Sequence, residues 1–177
     1  MSTTRRLLLL AHVPILLGWI ILATLAYGDL PERIPTHFDA SGTPDGFMDR
    51  SVASWFLLPL VGTISALMIV FSTAYTSRNP HLWNVPNKQK FMALSDDDRR
   101  PLVEMMHVFL TTVSLSTIVF LSVLHYDMWR VARGSTPGLS PLSISALVLL
   151  FLVGFGGAVM VMLRFSRRVN ELEPSGR

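Results

Sequence analysis

Four long intervals of this chain contain no Asp, Glu, Lys or Arg: between Arg6 and Asp29, Arg50 and Arg78, Glu104 and Asp127, and Arg133 and Arg164. Each can hold the roughly 20 apolar residues that cross a bilayer core of about 30 Å. Hydrocarbon satisfies no backbone polar group, and the intervals lack the alternation of a membrane barrel strand, so helices are the economical reading. The expected fold is an all-α integral membrane protein with four transmembrane helices, at about residues 7–27, 54–75, 102–126 and 142–163. They form one membrane domain over residues 1–177 as two outward hairpins, with a structured outer loop at 29–53 and a cytoplasmic loop at 78–100. Half of the residues are hydrophobic and 15% are charged, which leaves no sizeable soluble domain.

The net charge of +3 reads as membrane orientation rather than nucleic-acid binding. Arg5, Arg6, Arg78, Lys88, Lys90, Arg99, Arg100, Arg164, Arg167, Arg168 and Arg177 fall on one side, and only Arg33, Arg50, Arg130 and Arg133 on the other. The positive-inside rule places both termini and the middle loop in the cytoplasm, and 29–50 and 127–133 outside. The first apolar run is nearly twice the length of an ordinary signal-peptide core, so helix 1 is expected to be retained rather than cleaved. With no cysteine, thiolate metal sites and disulfides are excluded.

Within the spans, Pro14 is expected to kink helix 1, and Trp55 to sit in an outer aromatic belt. Gly62 with Ala66, and Gly154 with Ala158, form small-xxx-small pairs suited to close helix packing. Ser95 before Asp96, Asp97 and Asp98 marks a helix start, which Pro101 is expected to bend or restart. The ionisable residues inside the spans are His12, His107 and His125, with Glu104 one helical turn from His107. They support a transporter or a metal-dependent intramembrane enzyme as one class of function. The duller reading is that each histidine faces a neighbouring helix, His125 within an interfacial group with Tyr126 and Trp129.

The most specific stretch is DLPERIPTHFDASGTPDGFMDR, Asp29 to Arg50. Gly42 and Pro44-Asp45-Gly46 are strong turn signals, with positive φ expected at Gly42 and Gly46. A compact hairpin follows, with Phe38, Phe47 and Met48 expected to pack it down. Three uses fit it: a scaffold, a recognition surface built on His37, Phe38, Asp39, Pro44, Asp45 and Gly46, or a divalent-metal site held by His37, Asp39, Asp45 and Asp49. No EF-hand, HExxH, GxSxG or phosphate-binding glycine loop is present.

Leu30, Pro31, Ile34, Pro35, His37, Phe38, Gly42, Pro44, Asp45 and Gly46 together resemble the signature of a bacterial membrane family, domain of unknown function 1648. Asn84 to Lys88 also resembles a loop of longer relatives. The family includes SdpI-type immunity proteins, which protect against a secreted toxic peptide and signal by holding a repressor at the membrane. The resemblance implies a multi-pass protein of the cytoplasmic membrane and lends no established chemistry. Residues and resemblance together favour a non-enzymatic accessory, sensor or immunity-type protein with no resident cofactor. Its partners are then the bilayer, a peptide or protein at the outer loop, a cytosolic protein at 79–100 and a second copy of the chain, with no nucleic acid.

Overall fold

The computed structural model describes residues 1–172; Arg177, counted above among the basic residues, lies outside that range. Ser2 caps α1 (Thr3–Ala26), its hydroxyl accepting the Arg5 N–H at 3.2 Å. A short 3₁₀ turn then leads into a two-stranded antiparallel hairpin, β1 (Arg33–Phe38) and β2 (Pro44–Asp49). Ser51 and Ser54 form a reciprocal capping box that starts α2 (Val52–Arg78). After the short α3 (Lys88–Ala93), Ser95 caps α4 (Asp96–Ala132) by accepting the Asp98 N–H at 3.2 Å. The last rod is α5 (Pro141–Phe151), a π-helical turn at Leu152–Gly156, and α6 (Gly157–Glu171).

Four helical stretches, Thr3–Asp29, Val52–Arg78, Asp96–Ala132 and Pro141–Glu171, are long and apolar enough to cross a membrane, so this is a multi-pass membrane protein. They are longer at their ends than the charge-free intervals alone suggest. α4 has 37 residues and so is about 55 Å long, which carries it past the hydrocarbon. Pro101 neither ends nor restarts α4; an absent N–H near a helix start forfeits one ladder bond and leaves the rest intact.

α4 is the central post, packed against α1, α2 and α5. Its buried residues Leu102, His107, Thr111, Ser114, Ile118 and His125 follow helical spacing and define one stripe. Across from this stripe lie His12, Trp19 and Ala23 of α1, and Trp55, Gly62, Ala66 and Thr73 of α2. Most other apolar side chains of the bundle face outward, as lipid contact requires. Both connections at the hairpin end, β1–β2 and the segment between α4 and α5, therefore stand together, while the N-terminus and the α2–α4 segment share the terminal end.

The α2–α4 segment is more than a solvated loop. Trp83, Val85, Phe91 and Leu94 bury against Leu102, Phe165 and Val169, making a small core at the terminal end. Asn87, in the left-handed conformation at φ 54°, starts α3, and its side-chain amide donates to Asn170 Oδ1 at 3.0 Å.

Two packing expectations need correction. Trp55 is not in an exposed belt: it is 1% exposed, and its indole N–H donates to the Ala23 carbonyl at 2.8 Å. Gly62 does meet another helix, since a Cβ there would lie 2.7 Å from the Trp19 ring, but nothing lies within 4 Å of a Cβ at Gly154. The contact on the last rod belongs instead to Gly157, against Phe109 at 2.9 Å.

Candidate functional site

The hairpin is held from below and displayed above. Leu30 and Ile34 bury against Trp55, with Tyr27, Phe56 and Trp129 around them, so the root of β1 is part of the helix core. Phe47 and Met48, expected to pack downward, are 46% and 48% exposed; the buried residues of the hairpin are their partners across the ladder, Pro35 and Ile34. The Arg50 guanidinium ties the base by donating to the Leu30 carbonyl at 2.5 Å, and it lies 6.0 Å from the Tyr27 ring.

Pairing runs Arg33 to Asp49, Ile34 to Met48, Pro35 to Phe47, His37 to Gly46 and Phe38 to Pro44, with irregularities on both sides of His37. The skipped residues are Thr36 on β1 and Asp45 on β2. Such bulges re-aim side chains, and here His37 Nδ1 meets the Asp45 carboxylate in an exposed pair. Gly46 is required by this approach, since a Cβ on it would fall 2.7 Å from the His37 Cβ. Its φ is not positive; only Gly42, at φ +81°, takes the left-handed conformation in this turn.

Asp39 closes the turn. Its carboxylate accepts from the Ser41 N–H at 2.8 Å, the Ser41 hydroxyl at 2.6 Å and the Thr43 N–H at 2.9 Å. The Ser41 hydroxyl above all, with the Thr43 N–H, holds its pKa below the ordinary 3.8. The turn is also fastened to the second connection, where the Leu139 N–H donates to the Gly42 carbonyl at 2.9 Å. A side chain at Gly138 would collide with that carbonyl.

The four candidate metal ligands are not brought together. His37 and Asp45 pair with each other, Asp39 is occupied within the turn, and Asp49 lies opposite Arg33 at the far end of the ladder. Among the described residues, no group of three or more His, Asp or Glu is arranged to hold a metal ion.

The polar residues of the helices also separate. Glu104 and His107 come together at the terminal end, where Glu104 accepts from the Ser2 N–H and hydroxyl, both at 2.7 Å. Arg5 reaches Glu104 at 3.4 Å, His107 Nδ1 at 3.0 Å and the Thr73 hydroxyl at 3.2 Å. His12 lies about 10 Å further along the bundle, at the level of Ser114. Its Nδ1–H donates to the Leu8 carbonyl at 2.7 Å, and Nε2 accepts from the Ser114 hydroxyl at 3.0 Å. His125 lies about 16 Å beyond that level, towards the hairpin end. Between the last two, Trp19, Ala66 and Ile118 form an apolar plug. Four residues that look like one chemical set in the sequence thus occupy three depths.

Asp127 has a role that its loop-like position concealed. It is 1% exposed and accepts from the Ser140 N–H at 2.6 Å and the Ser143 hydroxyl at 2.7 Å, holding the first turn of α5 against the end of α4. The Ser-Pro start at Ser140 signals the helix, but nothing in the sequence pairs it with Asp127.

These features define a multi-pass helical membrane protein with a rigid hairpin between its first two spans. Residues 14–63, from mid-α1 through the hairpin into α2, match the sequence model of the family described as domain of unknown function DUF1648, so the resemblance read from the loop signature holds over that stretch. The chain is also 36% identical over 89 residues to an uncharacterized protein of Archaeoglobus fulgidus, a match covering 48% of this chain and 47% of that protein. No solved structure matches.

Proposed function

We propose that the chain is a non-enzymatic recognition protein of the cytoplasmic membrane, of accessory, sensor or immunity type, with its hairpin end facing outward. One observation carries this reading: a hairpin fixed at its root and at its tip still displays Phe47, Met48 and the His37–Asp45 pair to solvent. Apolar and charged groups held on a preorganised strand edge lower the ordering cost of binding a peptide or protein. Arg33, lying 5.8 Å from the Phe47 ring, extends the same face. Each residue of the transporter or enzyme alternative makes at least one hydrogen bond to another segment, and they lie at separate depths, which supports the recognition reading over it.

The test compares His37→Ala and Asp45→Ala with wild type in a strain lacking the protein, alongside photo-crosslinking from position 47. Both variants should insert and keep wild-type thermal stability, lose the deletion-complementing phenotype at least tenfold, and lose a discrete crosslinked partner. Full complementation by both variants would reduce the hairpin to a scaffold.

A further inference from the structure

A groove of about 710 Å³ runs along the bundle at the terminal end, between the start of α1, α4 and the last rod. Its long walls are apolar, with Val108 and Phe109 of α4 across from Met160 and Val161 of α6. The π-helical turn supplies the far end through Leu152, Val153 and Gly156. From Leu152 to Arg164 the rod rises about 18 Å, close to the roughly 15 Å depth of one hydrocarbon leaflet. Gly156 leaves the groove open, since nothing lies within 4 Å of a Cβ built there.

The other end is cationic. Arg164 lines the mouth of the groove and Arg168 follows it by one helical turn, so Gly157, Val161, Arg164 and Arg168 form one stripe of α6. Along that stripe the chemistry changes from apolar to doubly positive. Both arginines are exposed, and among the described residues neither has an ion-pair partner, whereas Arg167 between them is held by Glu171 at 2.8 Å. The carboxylate that lines the groove, Glu104, is already engaged: it accepts from the Ser2 hydroxyl at 2.7 Å and pairs with Arg5 at 3.4 Å. The mouth therefore carries positive charge that no neighbour offsets, above an apolar channel.

A ligand complementary to both ends has a long hydrocarbon chain and an anionic head. A neutral lipid leaves the two guanidiniums without a counter-charge, and a second copy in the same membrane brings its own basic end to the same level, which like-charge repulsion opposes. Basic pockets between helices at the membrane face suit anionic lipid heads. We infer that the groove holds one anionic phospholipid of the leaflet at the terminal end, its phosphate on Arg164 and Arg168 and an acyl chain lying over Gly156. The site is separate from the hairpin and does not rest on its recognition role.

Native mass spectrometry of the purified full chain in neutral detergent tests this, with phosphatidylglycerol and phosphatidylcholine of identical acyl chains as probes. A single phosphatidylglycerol per chain should bind saturably and about tenfold or more tightly than phosphatidylcholine. Arg164→Gln and Arg168→Gln should each weaken phosphatidylglycerol about fivefold, the share of one interfacial cation, and leave phosphatidylcholine unchanged. Gly156→Leu fills the groove without meeting another side chain, and should weaken both lipids while keeping the preference between them. Thermal unfolding identifies the folded variants, and the two exposed arginines carry the test if Gly156→Leu fails to fold. Equal affinity for the two lipids, or a preference that survives both arginine substitutions together, would mean ordinary lipid contact only and overturn the inference. Phosphatidylglycerol binding undiminished in folded Gly156→Leu would overturn it too, as would a dimer that forms when lipid is removed and is lost in that variant, since a second copy would then be the occupant.

Discussion

Asp39 shows how much of the hairpin rests on one carboxylate. The Ser41 hydroxyl, the Thr43 N–H and the Ser41 N–H stabilise its ionised form, so its folded pKa lies below the unfolded value of 3.8. A depressed carboxylate contributes stability that is present in full above the unfolded value and is lost as pH falls through the lower folded one. The amide resonances of Ser41 and Thr43 should therefore titrate together with a midpoint below 3.8, and Asp39→Asn should abolish that titration. A midpoint at or above 3.8 would contradict the turn geometry. Gly42 and Gly46 are legible as turn residues in the sequence, whereas Asp39 reads there as a recognition or metal candidate and its part in closing the turn does not show. The separate reasons for the two glycines do not show either, because Gly42 answers to backbone conformation and Gly46 to the crowding of His37, and the two are alike on paper.

Among the helices, the informative contrast is between three glycines. A leucine at Gly62 would drive into the Trp19 ring, and one at Gly157 into Phe109, whereas Gly154 has open space. Gly62→Leu and Gly157→Leu should each destabilise the bundle by about 1–3 kcal/mol, the usual cost of overpacking, and Gly154→Leu should stay within about 0.5 kcal/mol. Thermal unfolding in detergent measures all three, and equal behaviour at Gly154 and Gly157 would disprove the assigned packing face. The existence of the four spans was plain from the missing charges, which depend only on composition along the chain. Which face of a span meets which neighbour depends on rotation about the helix axis, and small-xxx-small spacing carries no such information. For the same reason Trp55 and His125 look interfacial in the sequence yet lie buried, held by Ala23 and Trp19, far away in the chain.

Among the described residues, the two spans that separate them put the hairpin and the α4–α5 connection at one end, and the start of α1 with the α2–α4 segment at the other. From the bias of basic residues towards the second end we propose that this end is the cytoplasmic one. Cysteines introduced at Ser41 and Ser95 should accordingly react with an impermeant reagent from opposite sides of intact cells, Ser41 from outside; labelling of both from outside would refute the orientation. The buried carboxylate of Asp127 also sets where the next span begins: by accepting from the Ser140 N–H and the Ser143 hydroxyl it fixes the first turn of α5 against the end of α4, so the segment between them acts as a spacer of set length rather than a loose tether.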